Sequence, residues 1–375
     1  MRLPCVSTSL LLWTLLSSFA TLPEPALAAT EIRVTVSMSE DSLTTGTLKV
    51  FRDEVERLSQ GRLHVEIIHS AKMYKTTDVP QAVQSGAVEA GAAWLSQYVN
   101  SLPAAGIFSL PFLFANQKLA EAAVAHGNGI RDPIDENILL GRNVRVLFWI
   151  PFLSETFAAK GPAVTSPDTI AGRFVRVFGE ALPEFIKLCG GTPVPVNGPD
   201  QYAAYKTGIV TAGITSLDVF ATNKLWEVAD HVNIAWPVHE EWVVVMNAGF
   251  WNGLSADDRR ILTEAGRVAE KSARVKVKQY DEDTAKLIAS HGVEVTRIAD
   301  EDAAAWKSCS SEIAEGYINK SGALGMKMLK AYRALLNSTS DAGGQNGTAA
   351  VVAGEAKQFQ PGGPEGGLLL PTAAQ

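Results

Sequence analysis

The sequence predicts an α/β protein of two lobes, each a sheet flanked by helices, and three observations lead there. Strand and helix patterns alternate in the order β-α-β-α-β, and that order occurs twice. A single helical pattern over residues 256–290 follows, long enough to reach along both lobes. The chain has 375 residues, enough for two domains at about 100–200 residues each.

The elements follow in order. Ile32 to Ser37 (IRVTVS) is a run of β-branched residues and predicts the first strand. Leu48, Phe51, Val55 and Leu58 recur at helical spacing, and Gly61 ends that helix at the left-handed position. Leu63 to Ile68 is the second strand. Residues 78–85 form a short helix with Pro80 in its first turn, where a missing N–H costs nothing, and Gly86 closes it. The stretch Ala87 to Trp94 returns to the sheet. Val144 to Ile150 (VRVLFWI) is a further strand, and the segment from there to Gly172 has no regular period. Phe174 to Phe178 (FVRVF) opens a second sheet, a helix ends at Cys189-Gly190-Gly191, and Thr192 to Val196 (TPVPV) reads as an edge strand limited by its prolines. Tyr202 to Thr207 is helical, and Ile214 begins another strand.

Val243 to Ala248 (VVVMNA) fits a strand of the first sheet, reached by a crossing back. From Ala256 to Ser290 one stripe runs through Leu262, Ala265, Ala269, Ser272, Lys276, Tyr280, Thr284 and Leu287. Ser255 is placed to cap this helix, with Asp257 and Asp258 in its first turn. Unbroken, it would be roughly 50 Å long; the alternative is a break at Gly266. Val293 to Ile298 is an edge strand and residues 301–337 form closing helices. From Ser338 on, the composition turns to Gly, Ala, Ser, Gln and Pro without period, which predicts disorder.

The N-terminus has the plan of a secretory signal: Arg2, a short apolar run from Ser9 to Ala20, and an Ala26-Leu27-Ala28 cleavage site. Cleavage after Ala28 predicts an exported, soluble mature chain; a retained anchor is the alternative, though the run is short of the about 20 apolar residues a span needs. Export leaves Cys189 and Cys309, which either pair or remain separate buried thiols.

Composition and motifs narrow the chemistry. The apolar fraction is 46% and the net charge −7, with both signs interspersed. A nucleic-acid partner, which needs a basic face, is not expected. The histidines show no metal-ligand spacing, and there is no nucleophile elbow, Walker loop or dinucleotide fingerprint. No catalytic residue, cofactor or metal is therefore assigned. His239-Glu240-Glu241 is the most suggestive polar cluster, and a solvated loop face accounts for it. Arg176 differs: it sits inside the apolar strand FVRVF, where a guanidinium needs a partner. That partner is a ligand carboxylate or an internal acid, unless the residue faces outward from an edge. Trp94, Phe148, Trp149, Phe178, Trp236 and Trp242 lie near strand ends, where open α/β sheets bind ligands; most aromatics are simply core.

Residues 31–337 resemble the extracytoplasmic solute receptors of tripartite ATP-independent periplasmic (TRAP) transporters, the DctP-like binding proteins. The resemblance is carried in order by VERLSQGRLHVEII, VPQAVQSGAVEAGAAW, SLPFLFANQKLA, IAGRFVRVFG, GGTPVPVNGPDQYAAYKTGIV, LWEVADHV and VVVMNAGFWNGLSADDRR. It implies a two-lobed periplasmic binding protein, class II-like, with a mixed sheet in each lobe, a long helix along both, and closure around an organic acid. It implies a periplasmic monomer that is not an enzyme and is not embedded in the membrane. The small organic anion it captures would pass to the permease subunits of the transporter. The G-x-x-x-R element Gly172 to Arg176 matches the family's carboxylate-binding arginine, and Thr215, beside Ser216, matches a polar pocket position.

Two departures stand out. Thr211-Ala212 replaces the usual Asp-Gly, and Ser154-Glu155-Thr156 occupies the region of a further basic residue. A single pocket arginine predicts a monocarboxylate with an apolar or aromatic body. The ligand-binding candidates are Arg176, Thr215, Ser216, Trp149, Trp94, Phe178 and Asn247. The expected division is signal 1–28, lobe one 29–151 with 239–255, lobe two 152–238 with 293–337, long helix 256–292 and tail 338–375. A secreted α/β enzyme acting on a small acid, or a ligand sensor on the same fold, is the alternative.

Overall fold

A computed structural model describes residues 29–340, apart from 115–116, 180 and 236–237. The expected leader 1–28, the tail from residue 341 and Trp236 lie outside the described residues. Strand β1 (Thr30–Thr35), helix α1 (Leu43–Ser59), β2 (Leu63–Ile68), α2 (Val79–Ser85) and β3 (Ala90–Trp94) build a parallel unit with β1 in its middle. Ser42 caps α1 by accepting the Thr45 N–H; α1 ends at Gln60, left-handed at φ 53° one residue before Gly61, and α2 at Gly86 with φ 77°. Helices α3 (Gln117–Ala123) and α4 (Arg131–Arg142), which the sequence pattern does not mark, precede β4 (Val144–Pro151).

The chain then crosses over. β5 (Glu155–Ala159) opens the second sheet, followed by β6 (Phe174–Val177), α5 (Leu182–Leu188), β7 (Thr192–Pro195), α6 (Gln201–Thr207), β8 (Ala212–Ser216), α7 (Leu217–Thr222) and β9 (His231–Ile234). It crosses back into β10 (Glu241–Asn247) and α8 (Ala248–Gly253). The long α9 (Ala256–Ser290), β11 (Glu294–Arg297), α10 (Asp300–Cys309) and α11 (Ser311–Ser340) complete the fold. Strand order is β2-β1-β3-β10-β4 in one sheet and β11-β9-β5-β8-β6-β7 in the other.

The parallel core β2-β1-β3 is thus matched by β7-β6-β8. Beside each core lies an antiparallel strand next to a crossing, β10 against β3 and β5 against β8. Both sheets are mixed. β5 falls in the segment read as aperiodic: all five of its residues are buried, so the strand has no polar alternation to reveal it.

α9 is unbroken over 35 residues. Gly266 is there for contact, since a Cβ would come within 3.0 Å of the Phe148 ring and 3.3 Å of the Leu147 carbonyl. Glycine lets α9 lie directly on β4, which outweighs its helix cost. The buried stripe runs through Leu262, Ala265, Ala269, Ala273 and Val277, so the expected stripe is wrong beyond Ala269 and Leu287 is exposed. Small residues every four positions mark the packed face better than the larger ones beside them.

Two further readings are corrected. α10 belongs to the second lobe, where Trp306 stacks on Phe157 and Cys189 is disulfide-bonded to Cys309, but α11 packs on the first lobe. Tyr317 and Tyr332 are buried there and donate to the carbonyls of Ala104 and Leu113. The assignment of 293–337 to lobe two therefore fails after Cys309, and the helix continues to Ser340 instead of yielding to a tail at Ser338.

His239-Glu240-Glu241 is likewise no solvated loop: Glu240 and Glu241 are 4% and 0% exposed. Arg274 of α9 donates to both Glu241 oxygens at 3.0 and 2.9 Å, and His239 lies 2.9 Å from the same carboxylate. Along the same helix Glu270 takes Arg131 and the Trp149 N–H, and Asp281 takes the Ser154 N–H. α9 is fastened in this way to both crossings.

Candidate ligand-binding site

Arg176 is placed by alternation. Val175 and Val177 enter the hydrophobic layer under α5 and α10, so Arg176 emerges on the opposite face, in register with Gly213 of β8. The glycine is required there: a Cβ would stand 2.7 Å from both Arg176 Cβ and the Tyr205 hydroxyl. β6 lies between β8 and β7, so the outward-edge alternative for Arg176 does not hold. The internal-acid alternative also falls away among the described residues. The buried guanidinium donates from Nε to the Val196 carbonyl at 2.9 Å and from a terminal nitrogen to the Ile214 carbonyl at 2.6 Å. Burial pushes it down to about 10, opposed by Glu155 and then Tyr205, so it stays cationic at neutral pH.

Phe178 lies against this cation, its ring centre 4.8 Å from the guanidinium carbon. On the other side Phe178 meets Trp94 of the first lobe at 5.9 Å. Trp94 stands edge-on to Trp242 and Phe152, which stack on each other at 5.2 Å. The lobes therefore meet on an aromatic wall with one guanidinium behind it. Around it three buried polar atoms have no partner among the described residues: the Trp94 indole nitrogen, the Thr215 hydroxyl and one oxygen of Glu155. Buried polar groups are nearly always satisfied, so a donor, a hydroxyl and an acceptor left open near one lobe junction suit a polar solute.

Glu155 opens β5, opposite Ser216 in register and at the same end of the sheet as the carboxyl end of β6. Burial pushes it up to about 8, with Glu240 adding to the rise and Arg176 opposing it. Burial also raises Glu240, to about 7, against the hydrogen bonds from Ser109 and Ser96. Both carboxyls hold a proton more tightly in the folded chain than near 4.5, so their stabilising contribution is full below that value and fades as pH rises through about 7–8. The ligand-free protein is expected to melt higher at about pH 6 than at about pH 8.5. Glu155→Gln should flatten that difference in a calorimetric melt; identical slopes would contradict the protonated carboxyl. Arg176, Glu240 and Asp281 are the charged groups that act on Glu155.

Of the residues expected from the sequence, Arg176, Thr215, Trp94 and Phe178 gather at this junction. Trp149 and Asn247 do not serve it. Trp149 is fully buried in the first-lobe core, its indole N–H on Asp135 and its face under Arg131. Asn247 caps α8 and donates to the carbonyls of Val83 and Gln84, which uses its amide completely. Ser216 accepts the Val219 N–H as the cap of α7, at the edge of a small cleft shared with Phe152 and Trp242. Caps and core aromatics share residue types with ligand sites, so composition could not separate them. Glu155 and Phe152 were missed, although a carboxylate inside the apolar run around Phe157 was a visible signal.

The family described as bacterial extracellular solute-binding protein, family 7, matches residues 34–320. The ectoine/5-hydroxyectoine-binding periplasmic protein UehA of Ruegeria pomeroyi is 22% identical over 293 residues, 78% of this chain and 86% of that protein. The C4-dicarboxylate-binding periplasmic protein DctP of Rhodobacter capsulatus is 23% identical, covering 75% of this chain and 84% of that one. A Bordetella pertussis extracytoplasmic solute receptor binding pyroglutamic acid superposes with a TM-score of 0.76 at 22% identity, over 81% of this chain and all of that one. The resemblance read from the sequence holds, and so does the two-lobed fold.

Proposed function

The chain belongs to the bacterial extracellular solute-binding proteins of family 7, and we propose that its solute is a monocarboxylate with an apolar body, anchored by Arg176. It is a solute receptor of the TRAP type and not an enzyme. Among the described residues no helix is long and apolar enough to cross a membrane. On our reading the exported chain gathers its solute outside the inner membrane and hands it to the permease subunits of the transporter.

Relatives named for ectoine, a C4-dicarboxylate and pyroglutamic acid leave the solute open, so the charges of this site must choose. The observation that carries the choice is Arg176: a buried cation held by two carbonyls, with an aromatic wall before it. A dicarboxylate would bring its second charge towards the buried acids Glu155 and Glu240, which offer it no cation in place of the water it loses. Trp94, Phe152 and Phe178 suit a less polar body. Closure supplies the mechanism: the solute touches both lobes only when they meet, so binding shifts the population to the closed state. Native mass spectrometry of gently purified protein should show a retained acid of one carboxylate, and such acids should raise Tm in a thermal-shift screen. Stabilisation by small hydrophilic dicarboxylates alone would sink this reading.

A further inference from the structure

We propose that Glu155 recognises a protonated nitrogen on the solute, so that the ligand is a zwitterion with its carboxylate on Arg176 and its cationic N–H on Glu155. This rests on the carboxylate reading above and names the second half of the same site.

The argument starts from what a buried acid needs. Glu155 is 2% exposed, and one of its oxygens has no partner among the described residues. The other buried acids of the region are provided for by the protein: Glu241 by Arg274 and His239, Asp281 by Ser154, Glu240 by Ser109. A carboxyl left open in a dry site is costly unless something completes it, because its lost water contacts are not replaced. Arg176 is not that partner: its guanidinium turns to the carbonyls of Val196 and Ile214, and among the described residues no hydrogen bond joins it to the open Glu155 oxygen.

Position points the same way. β5 and β6 flank β8 from opposite sides, β5 running antiparallel and β6 parallel to it. The first residue of β5 and the last residues of β6 therefore reach the same end of the sheet, one strand apart on either side. Arg176 is level with Gly213 and Glu155 with Ser216, three positions further along β8. At about 4.8 Å between strands and about 3.4 Å per residue, the two backbones stand roughly 14 Å apart. The Arg176 side chain shortens that gap by reaching the Ile214 carbonyl. A solute reaching from one to the other would carry opposite charges at its two ends. Phe152 lines the same cavity as Glu155, and Trp94 and Trp242 pack on Phe152, so the cationic end would also meet ring faces, which favour a cation. Glu240 lines that cavity too, and a cation arriving beside Glu155 favours the release of that carboxyl's proton.

The test uses matched acids, one of each pair with a protonated nitrogen and the other without. L-proline and L-pyroglutamate share a five-membered ring and one carboxylate, but only proline has a protonated nitrogen; pipecolate and cyclohexanecarboxylate form a six-membered pair. Calorimetric titration of the full-length mature protein is expected to favour the zwitterion of at least one pair by tenfold or more, the usual size of one charge-assisted contact. Glu155→Gln, which keeps the shape and removes the charge, should erase that preference while leaving the member without a cationic nitrogen within about twofold. A variant that merely misfolds weakens both members alike, so the ratio separates recognition from damage. If carboxylates bind but the nitrogen's charge makes no difference, or Glu155→Gln retains the preference, the zwitterion is wrong and the monocarboxylate reading survives. If none of these acids binds, or Arg176→Ala binds them as well as the unaltered protein, the carboxylate reading itself fails and takes this one with it.

Discussion

Arg176→Ala is expected to weaken solute binding at least tenfold while leaving the ligand-free protein close to its original stability. The loss follows from the strength of a charged hydrogen bond, about 1.5–3 kcal/mol, in a site where closure removes water from the pair. The small effect on stability follows from the state of the residue before ligand arrives. The guanidinium is buried, has no carboxylate among the described residues and is pushed down to about 10, so the fold carries a desolvated cation. Truncation relieves that cost and gives up the two bonds to Val196 and Ile214, terms of opposite sign. Titration with the acid identified by mass spectrometry, set beside a melting curve of the free variant, reads both effects. Unchanged affinity would remove Arg176 from the site. A collapse of Tm with affinity intact would make it a structural residue.

Arg274→Ala is expected to act in the opposite sense, costing about 3–5 kcal/mol of stability, the usual price of leaving a buried charge alone. Glu241 is completely buried; burial pushes its carboxyl up, but Arg274 and His239 outweigh that and hold it at about 2. Its contribution is present above the ordinary carboxylate value and is lost as pH falls towards 2. Without Arg274 the carboxylate must take up a proton or draw in water, and α9 loses its hold on β10. A fall in Tm on the order of 10 °C is expected for a chain of this size. Adding Glu241→Gln to Arg274→Ala should restore part of the loss, since the pair acts as a unit. If the single variant melts within 2–3 °C of the unaltered protein, roughly a 1 kcal/mol effect, α9 is not fastened there.

Much of the architecture was legible where local rules and tertiary structure agree. The strands around Ile32, Val65, Val144 and Val243, the capped start of α9 at Ser255 and the proline-limited edge strand β7 are all found as expected. Their signals are short-range: side-chain alternation, helical spacing, caps and missing N–H groups. β5 was hidden because burial on both faces erases alternation, and the far half of the α9 stripe was misread because small residues, not large ones, face the partner.

The ligand site divides along the same line. The arginine in an apolar strand was a local anomaly, visible before any fold was known, and so was the absence of a second basic residue near Glu155. The sequence alone therefore determined two α/β lobes, a long helix and a single candidate cation. Only the tertiary structure decided that Arg176 has no acid of its own among the described residues and that Trp149 and Asn247 are fully employed elsewhere. It alone exposed Glu155 as an open acceptor near the lobe junction. The physical reason is that a polar group's partners are set by which strands become neighbours. Those neighbours are fixed by crossings that join residues such as Glu155 and Ser216, about 60 positions apart along the chain.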